Sequence, residues 1–292
     1  MRNTVFLFLT CLLFASCARQ GATFFDGMVN IGTHSLQYRS EGNGTPVVVF
    51  DAGLGDPLDK LRPLQARLGR VTRVVTYNRA GYGRSEAGPL PRDCGREAEE
   101  LKALLARAGL PGPYVLVGHS LGALNVQVFA ARHPGDVAGL VLLDPPPNSF
   151  LLGQDYRDLM SMAERMTAEW QSIADSAAAS ADPKEQARSA FFRMLASEHR
   201  EMFGATARLV EAIPTFGEIP LLVMAAGRPN PAFGPGAGEY QKYWIGKSRA
   251  LAAKSAKGRF VLAEESSHYL YLDAADLVEK SIVSLVLALR AK

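Results

Sequence analysis

The sequence predicts an α/β fold built on a mostly parallel sheet, and three observations carry that expectation. Short, largely apolar runs recur along the chain: Val47–Phe50, Val71–Tyr77, Tyr114–Val117, Val137–Leu143, Ile219–Ala225 and Phe260–Ala263. Runs of that length without polar alternation belong to strands covered on both faces, the situation in a parallel sheet. Between them lie stretches of helical period, and strands alternating with helices build βαβ units. The third observation is local. At one strand-to-helix junction stands Gly118-His-Ser-Leu-Gly122, a G-x-S-x-G turn in the context that gives it meaning.

In chain order, Met28–Ile31 and Ser35–Arg39 are short alternating runs joined by Gly32-Thr-His34, which suits a hairpin with His34 solvent-exposed in its turn. Val47–Phe50 is followed by Asp51-Ala-Gly-Leu-Gly55, and Pro57 opens a helical stretch that runs to Leu68. Val71–Tyr77 closes on Asn78-Arg-Ala-Gly-Tyr-Gly-Arg-Ser85. Glu97–Ala108 places Leu101, Leu104 and Leu105 on one helical face and stops at Gly109. Tyr114–Val117 leads into the Ser120 turn and a helix over Ala123–Arg132; Val137–Leu143 ends in Asp144-Pro-Pro-Pro147.

From Asn148 to Phe216 the strand pattern disappears. Helical periodicity takes over, broken once by Asp182-Pro183, and five of the eight methionines (Met160, Met162, Met166, Met194, Met202) fall here. Methionine suits either gap-filling between helices or a surface that accommodates varied apolar ligands. Strand character resumes at Ile219. A Gly/Pro-rich loop over Gly227–Gly238, a helix over Tyr240–Lys257, the strand Phe260–Ala263 and an amphipathic helix over Ala274–Ala291 complete the chain. The organisation expected is a leader over residues 1–18, a core in two parts (24–147 and 217–292) and a helical insert over 148–216.

Composition narrows the function. With 48% hydrophobic and 21% charged residues, the 292-residue chain has an ordinary globular balance and enough apolar material for one large core. A net charge of +3, without any Lys/Arg tract, gives no basis for a nucleic-acid partner. Arg2 followed by the apolar run Val5–Ala15 reads as an export signal, too short to span a membrane comfortably. Leu13-Phe-Ala-Ser-Cys17 resembles the bacterial lipobox, which implies a lipid on Cys17 as a membrane tether; cleavage after Ala18 is the alternative. The protein is therefore expected to be exported, as a periplasmic or membrane-anchored lipoprotein or else as a secreted protein. Cys94 is the one cysteine beyond that leader, so no intrachain disulfide is expected.

The chemistry is expected at Ser120. The turn crowds the backbone, and glycines two residues either side relieve it, so the hydroxyl can project above the sheet. The helix N-terminus supplies a positive pole for a developing anion. A serine hydroxyl still needs a base, an acid to orient that base, and donors for the oxyanion. Two histidines follow the turn. His199 lies in the charged stretch Ser197-Glu-His-Arg200 and reads as solvated, whereas His268 lies in Glu264-Glu-Ser-Ser-His268, just past the last strand, where a loop can reach the sheet edge that carries Ser120. His268 is the expected base.

Strand-DAGLG, YNRAGYGRS, GHSLG and ESSH, in that order, resemble the α/β-hydrolase family of serine hydrolases from about Met28 to the C-terminus. The resemblance implies an eight-stranded, mostly parallel sheet flanked by helices, with the insert in the position of a helical lid. It also implies esterase-like chemistry on a small-molecule substrate and oxyanion donors at the backbone N–H groups of Leu54 and Leu121. The Arg79–Ser85 turn is read as shaping the pocket wall, and Trp170 and Trp244 as pocket lining or core. The third triad member departs from the usual pattern, because Ala226–Gly238 contains no carboxylate. Asp144, at the end of the preceding strand, is the preferred acid and Glu239 the alternative. The reading is a serine hydrolase acting on a small or medium carboxylic ester through an acyl-enzyme. An aminopeptidase, a lactonase or a cofactor-free haloperoxidase is the alternative within enzymes, and a non-catalytic ligand-binding protein on the same scaffold the alternative outside them. No metal-ligand cluster, phosphate loop or dinucleotide motif is present, and the expected chemistry needs no cofactor.

Overall fold

The computed structural model describes residues 23–291, so the leader, its cleavage and the lipid at Cys17 lie outside the described residues. Eight strands form one sheet in the order β1-β2-β4-β3-β5-β6-β7-β8. The first two, β1 (Phe24–Asn30) and β2 (Ser35–Glu41), make an antiparallel hairpin, and β2 also runs antiparallel to β4 (Val74–Tyr77). From β4 through β3 (Val47–Asp51), β5 (Tyr114–His119), β6 (Val137–Leu143), β7 (Leu221–Ala226) and β8 (Gly258–Ala263), every pairing is parallel.

The apolar runs are continuous because each strand feeds two cores. Side chains alternate across a strand, so Val47, Val49, Leu116, Leu140, Leu142 and Val223 enter one cluster while Val48, Phe50, Val117, Val141, Leu143 and Met224 enter the other. Helices α2 (Cys94–Arg107) and α3 (Leu121–Arg132) cover the first face, joined there by α8 (Ala237–Ala252). On the second face lie α1 (Arg62–Leu68) and α10 (Ala275–Arg290), with the short α9 (Leu270–Asp273) between β8 and α10. Leu101, Leu104 and Leu105 of α2 are all buried, as their spacing predicts. Asp93 caps α2 by accepting a hydrogen bond from the Arg96 N–H at 2.9 Å.

Helices make up most of the insert. After α4 (Asn148–Leu151), helices α5 (Asp158–Ala178) and α6 (Pro183–Glu201) pack side by side, and a π turn over Met202–Thr206 leads to α7 (Ala207–Glu211). The Asp182-Pro183 break is the start of α6: Asp182 accepts from the Lys184 N–H at 2.9 Å and Pro183 takes the first helical position. Of the insert's methionines, Met194 is buried with Leu195 against Tyr82 of the core, whereas Met166 is exposed.

Two expectations about histidines are corrected. His34 is 5% exposed: its ring folds beneath the hairpin towards Glu100, with Nε2 3.8 Å from the carboxylate, because the turn is tucked against α2. His199 is also 5% exposed, since its own side of α6 packs on α5 while Arg200 beside it stays exposed. Its Nδ1 sits 2.7 Å from the Thr167 hydroxyl of α5, and burial lowers it to about 4.

Candidate active site

Strand order decides where the site can form. The chain leaves β3 for β4 on one side and returns to β5 on the other, so the loops after β3 and β5 diverge above the sheet and open a crevice. Asp51 and Gly118 are register partners at the ends of these strands, which starts the two loops side by side. Ser120 follows β5 with φ 52° and ψ −118°, a conformation that L-residues rarely adopt, and its N–H donates to the Leu143 carbonyl at 3.0 Å. A Cβ at Gly118 would collide with the Gly122 carbonyl, and one at Gly122 with the Asp51 carbonyl. Both glycines are therefore steric requirements, and the second lets the β3 loop lie directly against the turn that carries Ser120.

The structure brings Asp144, not Glu239, to His268. Asp144 ends β6 with φ 46° and is 3% exposed; its Oδ2 lies 2.6 Å from His268 Nδ1, and its Oδ1 accepts from the Ala226 N–H at 2.9 Å. Glu239 is exposed in the first turn of α8 and pairs with Lys242 at 2.7 Å. With Nδ1 engaged, Nε2 is the His268 nitrogen left for proton transfer. His119, the residue before Ser120, holds the other end of this loop: its Nε2–H donates to the His268 carbonyl at 2.8 Å. Burial, reinforced by His268, keeps His119 well below its ordinary value, so it serves as a neutral donor.

Behind the β3 loop lies a buried charge network. Arg79 is 4% exposed and uses all five guanidinium N–H groups. Nη1 donates to Asp51 Oδ1 at 2.8 Å and to the Ala52 carbonyl at 2.6 Å, and Nη2 to the Gly53 carbonyl at 2.9 Å. The remaining two reach Glu198 of α6, Nε at 3.0 Å and Nη2 at 3.1 Å. Glu198 also accepts from the Tyr82 hydroxyl at 2.6 Å, and that hydroxyl accepts from the Gly55 N–H at 3.1 Å. Glu97 of α2 faces the same carboxylate; burial and then the Glu198 charge raise it well above the ordinary range, so it holds its proton. Burial alone would raise Glu198 too, but the Arg79 charge and hydrogen bonds overcome that and keep it ionised.

Beside His268 opens a cavity of about 440 Å³ lined by Arg228, Pro229, Asn230, Pro231, Ser267 and Tyr269. Trp244 stands edge-on to His268 with ring centroids 6.0 Å apart and continues into Tyr240, Phe150 and Phe233. Trp244 thus lies next to the site, while Trp170 packs with Tyr82 and Met194 in the insert and edge-on to His199. Among the described residues no group of His, Cys, Asp and Glu side chains is arranged to hold a metal, and no helix is long and apolar enough to cross a membrane.

Residues 38–280 match the model of the alpha/beta hydrolase family. The chain belongs to that family. A relative over most of its length is the uncharacterized protein YqjL of Bacillus subtilis, 26% identical over 84% of this chain and 85% of that one. The 2-(acetamidomethylene)succinate hydrolase of Mesorhizobium japonicum is 31% identical, over 42% of this chain and 44% of its own. Among solved structures, a thermophilic esterase from Thermogutta terrifontis superposes with a TM-score of 0.65 at 18% identity, covering 91% of this chain and 99% of that one. At that identity the likeness is one of fold.

Against the alpha/beta hydrolase frame, sequence reasoning missed two contributors. His119 occupies the variable position of G-x-S-x-G, which carries no signal of its own. Glu198 hid in a charged run, yet it follows Met194 and Leu195 at helical spacing and so shares their buried face. That spacing is the signal that could have found it.

Proposed function

We propose that this protein is a serine hydrolase that cleaves small or medium carboxylic esters through an acyl-enzyme intermediate. The observation that carries the reading is the 2.6 Å contact between His268 Nδ1 and Asp144 Oδ2, made where Ser120 leaves its strained turn. Asp144 fixes the tautomer of His268 and stabilises the imidazolium that forms. His268 Nε2 takes the Ser120 proton as Oγ attacks the acyl carbon. The N–H groups of Leu54 and Leu121 receive the oxyanion, the latter as one of the amides that a helix start leaves unpaired. His268 then returns the proton to the leaving alcohol and activates the water that releases the acid.

The walls beside His268 support a small substrate. A cavity of about 440 Å³ flanked by prolines and aromatic rings suits a short apolar group. Its lining holds a cation, Arg228, and no acidic side chain, which favours this reading over an aminopeptidase. The reading includes export, with a leader ending before Cys17 and a lipid on Cys17 tethering the enzyme to a membrane, or with cleavage after Ala18 as the alternative; the mass of the mature N-terminal peptide tests this directly.

A fluorophosphonate probe together with a series of p-nitrophenyl esters tests the chemistry. The expected result is one label per chain, on Ser120, lost in Ser120→Ala. Asp144→Asn should lower kcat by about 10³- to 10⁴-fold, and Glu239→Gln should leave it unchanged. Absence of both labelling and turnover across the series would sink the enzyme reading in favour of a ligand-binding protein on the same scaffold.

A further inference from the structure

Resting on that reading, we infer that Arg79 and Glu198 are positioning residues that set the orientation of the Leu54 N–H, so that the helical insert completes the oxyanion site. A single peptide plane sets the direction of that N–H. The Gly53 carbonyl and the Leu54 N–H belong to the same trans peptide and point in opposite directions. Arg79 Nη2 donates to that carbonyl at 2.9 Å, and Nη1 donates to the preceding one, Ala52, at 2.6 Å. With its carbonyl drawn to the guanidinium, the peptide presents the Leu54 N–H on the side away from Arg79. On the other flank, the Gly55 N–H is taken by the Tyr82 hydroxyl at 3.1 Å. Leu54 is thus left as the amide between two anchored peptides. Gly53 and Gly55 impose no side chain on this loop, and the Asp56 N–H reaches the Gly53 carbonyl only at 3.2 Å, so the shorter guanidinium contact is what tightens this turn.

The anchors are themselves held from the insert. Glu198 of α6 accepts two of the five Arg79 N–H groups and also the Tyr82 hydroxyl at 2.6 Å. Asp51 fixes the opposite edge of the guanidinium at 2.8 Å, and Tyr77 and Asn125 hold Asp51 in turn at 2.7 and 3.2 Å. Every charged member of this set is at most 4% exposed, which makes a rigid frame rather than a surface pair. An insert that swung away as a free lid would strip Arg79 of a buried counter-ion and release the oxyanion loop. Glu198 therefore couples the insert to the chemistry: substrate must enter with α6 in place.

The test uses the purified full chain with Arg79→Lys, Glu198→Gln and Tyr82→Phe, each compared per fluorophosphonate-titrated site so that misfolded protein is not counted. Expected are losses in kcat of about 10²-fold for the first two and less for Tyr82→Phe, with KM within about threefold. Inhibition by a boronic acid that forms the tetrahedral adduct should weaken in parallel with kcat. Crystal structures of the same variants read the Gly53–Leu54 peptide without reference to turnover, and a rotated or disordered peptide is expected. Wild-type kcat per titrated site, or an unmoved peptide in Arg79→Lys and Glu198→Gln, overturns the inference. If the unsubstituted protein neither labels at Ser120 nor turns over esters, the hydrolase reading fails, and the peptide's orientation in the variants still decides whether Arg79 and Glu198 set it.

Discussion

Ser120 and Asp144 share a property that ordinary positions avoid, a positive φ without glycine, at 52° and 46°. Each such conformation stores about 1–3 kcal/mol of strain. Asp144 is held there by contacts to both carboxylate oxygens, one to His268 and one to the Ala226 amide. Ser120 is held by the turn itself, which needs a residue at that angle to pass from β5 into α3. Replacing Ser120 by glycine should therefore relieve strain as well as remove the hydroxyl. Ser120→Gly is expected to be more stable than the wild type by about 1 kcal/mol, seen as a rise in Tm of about 2–4 °C. Ser120→Ala keeps the Cβ and should show no such gain. Equal melting temperatures for the glycine and alanine variants would remove strain from the account of this turn.

At the scale of elements, the sequence was most legible where one physical cause acts alone. The doubly covered strands announced themselves because both faces are apolar, and β6 (Val137–Leu143) was read to the residue. The Ser120 turn was legible because Gly118, Ser120 and Gly122 are each demanded by local sterics. Legibility failed where partners come from far along the chain. His34, His199 and Glu198 looked like solvated polar residues in polar company, and only the packing of α2, α5 and α6 buries them. Asp144 was preferred over Glu239 from its place at a strand end, and the register that sets β6 beside β7 and β8 brings His268 across to it. The junction of β3, β5 and α3 gives a direct test of element packing. A methyl group on Gly122 would strike the Asp51 carbonyl, so Gly122→Ala must push α3 away from the β3 loop. The expected cost is about 1–3 kcal/mol of stability. A fall in kcat of about 10²-fold should accompany it, because Ser120 and the oxyanion loop part. Wild-type activity in Gly122→Ala would show that the two loops are not in register for catalysis.

Over the whole molecule, buried titratable groups set how stability tracks pH, and they pull in two directions. His34, His119 and His199 all lie below the ordinary histidine value through burial, with His199 at about 4. For His119 the His268 charge adds to burial, and for His34 Glu100 opposes it. In the unfolded chain each takes up a proton as pH falls through about 6.5. The unfolded state then binds more protons than the native one, so stability falls on acidification from about pH 6.5 towards 4, by up to about 1.4 kcal/mol per pH unit for each histidine. Glu97 acts in the opposite sense, since burial and the Glu198 charge keep its proton on in the native state. Its contribution is fully present below the unfolded carboxyl value of about 4.3 and is lost as pH rises through the native value. Asp51, raised chiefly by burial, adds to that trend. The histidine contribution is lost on acidification below about pH 6.5, and the Glu97 contribution is lost as pH rises through its native value. Maximum stability is therefore expected near neutrality, with a steeper acid limb and a gentle alkaline one. Urea midpoints from pH 4.5 to 9 measure both limbs. His199→Gln should lower the acid slope by about one proton, and Glu97→Gln should flatten the alkaline decline while leaving the acid limb intact. A midpoint that climbs steadily to pH 9 would mean that Glu97 is ionised in the native protein, and the frame around Arg79 would then carry one more negative charge than its geometry accommodates.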